Sequence, residues 1–221
     1  MLDDLIKLSK TVSKFCVGME GNVSMKVNDD RFFIKASGTK MADPTPNDYV
    51  EYDFEGEQKN NFEKRGSMEL GFHKFLLSQK DINFVAHTHP VNTLKILCSD
   101  FVDLFAEKRL FPDQVVFNGV SSCVIPYVKP GDDLTESVIE GFNNFLDIHK
   151  SLPKLILLKN HGIITFGKTI DECIIKTEIC EKSAEILIGS LSIGEPKFLS
   201  ELETNDLIHD KKEEYRYNLI K

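Results

Sequence analysis

The chain predicts a mixed α/β layered domain, and three observations lead there. Short runs rich in β-branched and aromatic residues alternate with amphipathic stretches of helical period. The alternation lacks the strict strand–helix–strand rhythm of a parallel, doubly wound sheet. No internal repeat, low-complexity tract or linker divides the 221 residues, so 1–221 are expected to form a single domain. Hydrophobic residues make up 41% of the chain and sixteen are Phe, so a sizeable core can be buried.

Residues 2–16 read as a helix, because Leu5, Leu8, Val12 and Phe15 share one stripe. A Gly-punctuated segment over 18–24 leads into a strand pair, 24–27 and 32–36, turned at Asn28-Asp29-Asp30. Residues 37–47 read as loop from their Gly, Pro and Asn content. A strand at 48–53 follows, with a hairpin turn at Glu55-Gly56. Ser67 stands as the N-cap of a helix over 67–79. Residues 83–89 predict a strand, with a helix near 91–98 behind it. Short strands are expected at 114–118 and 123–128. Leu134, Val138, Phe142, Phe145 and Leu146 predict a helix over 134–149. Apolar strands over 154–159 and 162–166 precede an amphipathic helix over 170–189, and the chain from 200 onward is polar and partly helical.

The net charge of −8 argues against a nucleic-acid binder, which would present a basic face to phosphates. An anionic small molecule would have to be held by local groups: backbone N–H, hydroxyls, a metal ion or one Lys. The first ten residues carry acids and no apolar run, so no secretory signal is expected. No stretch approaches the roughly 20 apolar residues that span a bilayer, and a cytoplasmic location is the default. The five cysteines are scattered and never form a C-x-x-C pair, which reads as buried free thiols in a reducing compartment.

His87-Thr88-His89 falls at the end of a predicted strand, where positions i and i+2 point the same way. Two imidazoles so placed can share a metal, and His161, at the end of another apolar strand, can supply the third ligand of a zinc-type site. An H-x-H pair alone equally describes two exposed or core-satisfied histidines. The metal reading gains because three of only six histidines sit at strand ends; His73, His149 and His209 read as structural. Three neutral imidazoles leave the ion its full +2 charge, which suits polarising a carbonyl and suits activating water equally well. Glu69, upstream of the histidine strand, is either an ordinary first-turn helix acid or a general acid/base beside the metal.

Residues 162–169 match the phosphate-binding pattern G-x-x-x-x-G-K-[ST]. The interior Ile163, Ile164, Thr165 and Phe166 prefer a strand to a phosphate-wrapping loop, and too little chain follows for a nucleotide-binding sheet. The expected structure is a strand, a Gly-Lys turn and a helix beginning near Thr169.

Five segments in order resemble the class II aldolase/adducin family, which includes fuculose- and rhamnulose-phosphate aldolases and ribulose-phosphate 4-epimerases. They are Gly21-Asn22-Val23-Ser24, Ser37-Gly38-Thr39, Ser67-x-Glu69-x-x-x-His73, His87-x-His89-Pro90 and Asn160-His161-Gly162. The resemblance implies a three-layer α/β/α fold around a mostly antiparallel sheet, usually assembled as a homotetramer. It implies one zinc per chain, or another divalent transition metal, on His87, His89 and His161. Glu69 would be the acid/base, able to touch the metal when no substrate is bound, and Asn22, Ser37, Gly38 and Ser67 would bind a substrate phosphate. The implied activity is a lyase acting on a phosphorylated sugar or sugar acid through an enediolate. Epimerase, decarboxylase or dehydratase chemistry at the same site is the alternative, and a non-catalytic adducin-like module is disfavoured because all three histidines are present. Two departures stand out. Met68 replaces a second serine, and residues 90–118 hold no Tyr to donate a proton, which leaves Tyr127, Tyr215 and Tyr217 as candidates.

Overall fold

The computed structural model describes residues 2–221. Seven strands form one sheet: β1 (Asn22–Lys26), β2 (Arg31–Lys35), β3 (Tyr49–Asp53), β4 (Phe84–Thr88), β5 (Cys123–Ile125), β6 (Leu155–Leu158) and β7 (Gly162–Gly167). Their order is β3-β2-β1-β4-β7-β6-β5. Every neighbouring pair is antiparallel except β5 and β6.

Side chains alternate across this sheet, and each face has its own helices. Ile34, Val85 and Ile164 point to one face, where they meet Phe72 and Leu76 of α2 (Leu70–Ser78) and Val138 and Phe142 of α6 (Asp132–His149). On the other face, Val23, Met25 and Ala86 pack against Leu5, Leu8 and Val12 of α1 (Asp3–Val12). Further along that face, Leu155, Leu157 and Ile163 meet α3 (Val91–Leu97), α4 (Val102–Glu107) and α7 (Ile170–Ile193). The result is the expected three-layer α/β/α arrangement. Each fully buried Leu, Ile or Phe in these layers contributes about 1.5–3 kcal/mol.

Some local expectations need correcting. Residues 114–118 are not a strand but part of a helix, α5 (Pro112–Asn118). Pro112 and Asp113 are sound helix-start residues, and Val115, Val116 and Phe117 are all buried. A short helix buried on most sides has no polar stripe, so it reads like a strand. The helix expected from Ser67 begins three residues later, at Leu70, with Glu69 at its N-cap position. The reason is that the backbone over 65–67 is held beside the end of β2: Ser37 N donates to Arg65 O (2.8 Å), Ser67 N donates to Lys35 O (3.1 Å), and Ala36 bridges Gly66. All five cysteines are free thiols, but only Cys123, Cys173 and Cys180 are buried; Cys16 is half-buried and Cys98 exposed. The polar C-terminal part forms α8 (Glu201–His209) and α9 (Lys211–Asn218).

The antiparallel register has one consequence for function. β1 and β7 begin, and β2, β4 and β6 end, along the same edge of the sheet, so the Gly21-Asn22, Ser37-Gly38, His87–His89 and Asn160–Gly162 segments gather there.

Candidate metal centre

His87 lies on β4 directly opposite Asn22 of β1 and Ile164 of β7. Alternation with Val85 turns its ring toward α2, edge-on to Phe72. His89 stands two residues on, with its backbone N–H donating to Phe15 O at 3.1 Å. His161 belongs to the tight turn between β6 and β7, which Asn160 makes possible by adopting φ +56, a left-handed conformation that Asn tolerates better than most residues. Ring centroids of the three histidines lie 4.8, 4.8 and 5.2 Å apart. Gly162 leaves room for this packing: a Cβ there would lie 2.5 Å from His89 Cδ2 and 2.6 Å from Thr88 O.

The donor atoms fit a divalent cation. His87 Nδ1–H donates to Ile163 O at 2.9 Å, so its Nε2 carries a lone pair. That Nε2 lies 3.0 Å from His89 Nε2 and 3.4 Å from Glu69 Oε2, while His161 Nε2 lies 3.3 Å from Glu69 Oε1. Ligands on a tetrahedral ion at 2.0–2.1 Å are separated from one another by about 3.3 Å. Ring nitrogens and carboxylate oxygens therefore face one another at the spacing that a shared ion would relieve, and the three histidine donor atoms all lie within 4.8 Å of one another. Burial pushes the His87, His89 and His161 imidazoles each down to about 4, so all three are neutral, the form that binds metal. Zinc and its neighbours in the divalent series suit this nitrogen-rich set.

Glu69 is buried and is held by Asn22, whose Nδ2 donates to Oε2 at 2.7 Å. The same Asn22 amino group donates to Ser67 Oγ at 3.1 Å. Asn22 Oδ1 accepts from His73 Nε2, and His73 Nδ1 accepts from Ser24 Oγ at 2.6 Å. His73, read from sequence as structural, is thus the buried neutral anchor of the amide that holds Glu69; burial holds its pKa well below the usual histidine value. Ser37 and Gly38 are exposed in a turn closed by Thr39 N donating to Ala36 O (3.4 Å), with Gly38 at φ +77 and, among the described residues, no atom beyond its chain neighbours within 4 Å of where its Cβ would be. The hydrogen bonds from 65–67 to the end of β2 bring this turn beside Ser67.

The tyrosine candidates separate. Tyr217 donates to Glu172 Oε1 at 2.7 Å. Glu172 accepts in turn from Lys168 N, just beyond the far end of β7, so Tyr217 lies away from the histidines. Tyr215 is exposed on α9, whereas Tyr127 is exposed just past β5, whose end shares the edge with His161. Residues 162–167 are strand and Lys168 is an exposed partner of Asp81 (3.7 Å), so no phosphate-wrapping loop exists there.

Sequence reasoning passed over two residues at this edge. Lys35 is buried, and its Nζ donates to the backbone oxygens of Thr39 (2.6 Å) and Ala36 (3.4 Å), beneath the Ser37-Gly38 turn. A lysine at an inward position just before an S-G turn was the available signal. Glu20 lies 3.5 Å from His89 Nδ1 through its Oε2, and nothing in its surroundings along the chain distinguished it.

Comparison with known proteins adds to this geometry. The profile described as Class II Aldolase and Adducin N-terminal domain matches residues 6–188. The chain is 30% identical over 189 residues to an L-fuculose phosphate aldolase of Methanococcus maripaludis, covering 84% of this chain and 94% of that protein. It is 24% identical over 194 residues to a 3-oxo-tetronate 4-phosphate decarboxylase of Haemophilus influenzae, covering 87% and 88% respectively. The crystal structure of YgbL from Klebsiella pneumoniae superposes with a TM-score of 0.78 at 22% identity, over 93% of this chain and 96% of that one.

Proposed function

The chain belongs to the class II aldolase and adducin family, and from that premise we propose that it is a metal-dependent lyase that breaks or forms a carbon–carbon bond in a phosphorylated sugar or sugar acid. The observation that carries the proposal is the convergence of His87, His89 and His161 on one point, with both oxygens of Glu69 at 3.3–3.4 Å from two of the rings.

His87, His89 and His161 would hold the ion, with zinc the first choice. When bound, it supplies a Lewis acid that draws electron density from a substrate carbonyl. Glu69 would take the hydroxyl proton as the carbon–carbon bond breaks and return a proton to carbon afterwards. Its burial suits that role, because charge interactions are stronger away from water. Ser37 and Ser67, the Gly38 amide and Asn22 would take the phosphate, hydroxyls and amides doing on this acidic chain what a basic patch does elsewhere. The reading treats 1–221 as a single domain, assembled as a homotetramer in the cytoplasm. No helix among the described residues is long and apolar enough to cross a membrane.

The test is metal analysis of the purified protein, followed by a retro-aldol screen over ketose 1-phosphates and sugar-acid phosphates. About one zinc per chain and aldehyde release are expected. Full turnover by metal-free protein in strong chelator would overturn the proposal.

One observation favours a second reading, decarboxylation of a phosphorylated keto acid. The half-buried phenol of Tyr217 is committed to Glu172, away from the histidines, which leaves the exposed Tyr127 as the tyrosine candidate on their edge of the sheet. Retro-aldol cleavage needs a proton removed from oxygen and another delivered to carbon, whereas loss of carbon dioxide needs only the second, which Glu69 could pass on from water without help from a phenol. The decarboxylase relative fits this reading. Carbon dioxide release without aldehyde would select it. Epimerisation or dehydration would use the same acid.

A further inference from the structure

The segment after α1 wraps the end of β4 at three points. His89 N–H donates to Phe15 O at 3.1 Å. Gly21, at φ +69, passes so close that a Cβ would lie 2.8 Å from His87 O. Between them, Val17 and Glu20 form a reciprocal turn: Glu20 N donates to Val17 O (3.2 Å), and Val17 N donates to Glu20 Oε2 (2.9 Å), with Gly18 at φ +66 inside it. The Glu20 carboxylate is therefore aimed by a backbone amide, although its side chain is 45% exposed. It is aimed at the outer nitrogen of His89, 3.5 Å away.

An imidazole has one mobile proton to place. His87 has its proton fixed on Nδ1 by Ile163 O, and His161 Nδ1 is buried with no partner among the described residues. His89 could place its proton on either side. On Nε2 it would point at the lone pair of His87 Nε2, 3.0 Å away, and the resulting hydrogen bond would occupy both nitrogens that face the proposed ion.

We infer that Glu20 is a positioning residue that holds the His89 proton on Nδ1, so that the metal-facing nitrogens of His89 and His87 stay open as a ligand pair. This rests on the metal reading above. Carboxylates behind ligand histidines commonly raise metal affinity, and losing one typically costs about 10–100-fold. Because Glu20 is half-exposed, its charge is screened by water, and its main effect would come from accepting the Nδ1 proton across the 3.5 Å contact.

The experiment compares wild type, Glu20→Ala and Glu20→Gln as full-length chains. Zinc affinity is measured by chelator competition, the site by the visible spectrum of the Co2+ form, and the His89 tautomer by long-range 1H–15N NMR of the metal-free protein. Glu20→Ala should lose about 10–100-fold in zinc affinity, weaken the tetrahedral Co2+ bands and move the His89 proton to Nε2. Glu20→Gln retains an acceptor oxygen and should recover most of the affinity. Equal zinc affinity in wild type and Glu20→Ala, with an unchanged tautomer, overturns the role of Glu20 alone. If wild type itself binds neither Zn2+ nor Co2+, the metal reading falls and this inference falls with it.

Discussion

Gly162→Ala tests whether the packing of the histidine rings depends on one missing methyl group. The new Cβ would sit 2.5 Å from His89 Cδ2, 2.6 Å from Thr88 O and 3.3 Å from His87 Cε1. Ordinary carbon contacts are about 3.5 Å or more, so the first two fall short by nearly 1 Å. Thr88 O cannot retreat easily, because Thr88 is paired to Ile163, and Gly162 is itself paired to Leu158. Either β7 shifts from β4 or the His89 ring turns. Overpacking of this kind costs about 1–3 kcal/mol, and at about 2–4 °C per kcal/mol for a chain of this size the metal-free protein should melt several degrees lower. Ligand geometry tolerates displacements of only about 0.5 Å, so zinc affinity should also fall, by tenfold or more. Calorimetry on the metal-free protein and chelator competition on the loaded one read the two effects separately. Wild-type values in both would refute the argument that Gly162 is required by close approach; lower stability with unchanged zinc affinity would refute its link to the His89 ring.

Glu69→Gln keeps an acceptor for Asn22 and should retain bound metal and fold, while kcat falls by about 10²–10⁴, as expected for loss of a general acid/base; steady-state kinetics paired with metal content decides this. Tyr217→Phe removes the donor to the Glu172 carboxylate, so stability should drop by about 1.5–3 kcal/mol in urea melts with kcat unchanged; a loss of turnover without loss of stability would return the phenol to the reaction. The metal-free protein should weaken in mild acid. His87 and His73 are neutral when folded, with His87 down at about 4, whereas in the unfolded chain each takes up a proton near 6.5. The unfolded state thus binds more protons below 6.5, and stability falls as pH drops, by up to about 1.4 kcal/mol per pH unit for each such histidine, ending for His87 near 4. Urea midpoints that stay flat between pH 6.5 and 4.5 would contradict this.

The parts legible in the sequence were those with a strict local period. Alternation along β4 places His87 and His89 on one face, and the 3.6-residue stripe of Leu5, Leu8 and Val12 marks the buried side of α1. The order of motifs carried the family and with it the layered fold. What the sequence did not disclose depends on contacts between distant segments. α5 is buried by α7, α8 and α9 together, which erased the polar stripe that would have marked a helix. The helix expected from Ser67 was delayed because β2, thirty residues earlier, holds that backbone extended. His73 looked like a core residue, since its partners Asn22 and Ser24 lie some fifty positions upstream and reach it only when β1 docks against α2.

Asn22 has only two amino hydrogens, and both are already engaged, one with Ser67 and one with Glu69. Its carbonyl, gripped by His73, prevents the amide from flipping to offer anything else. An arriving anion can recruit this amide only by taking a hydrogen from one of those two neighbours. If it takes the one on Glu69, the carboxylate loses its tether at the moment the molecule to be transformed is seated. Occupancy at one end of the cleft and readiness at the other would then be two readings of a single side chain, a see-saw built from one amide.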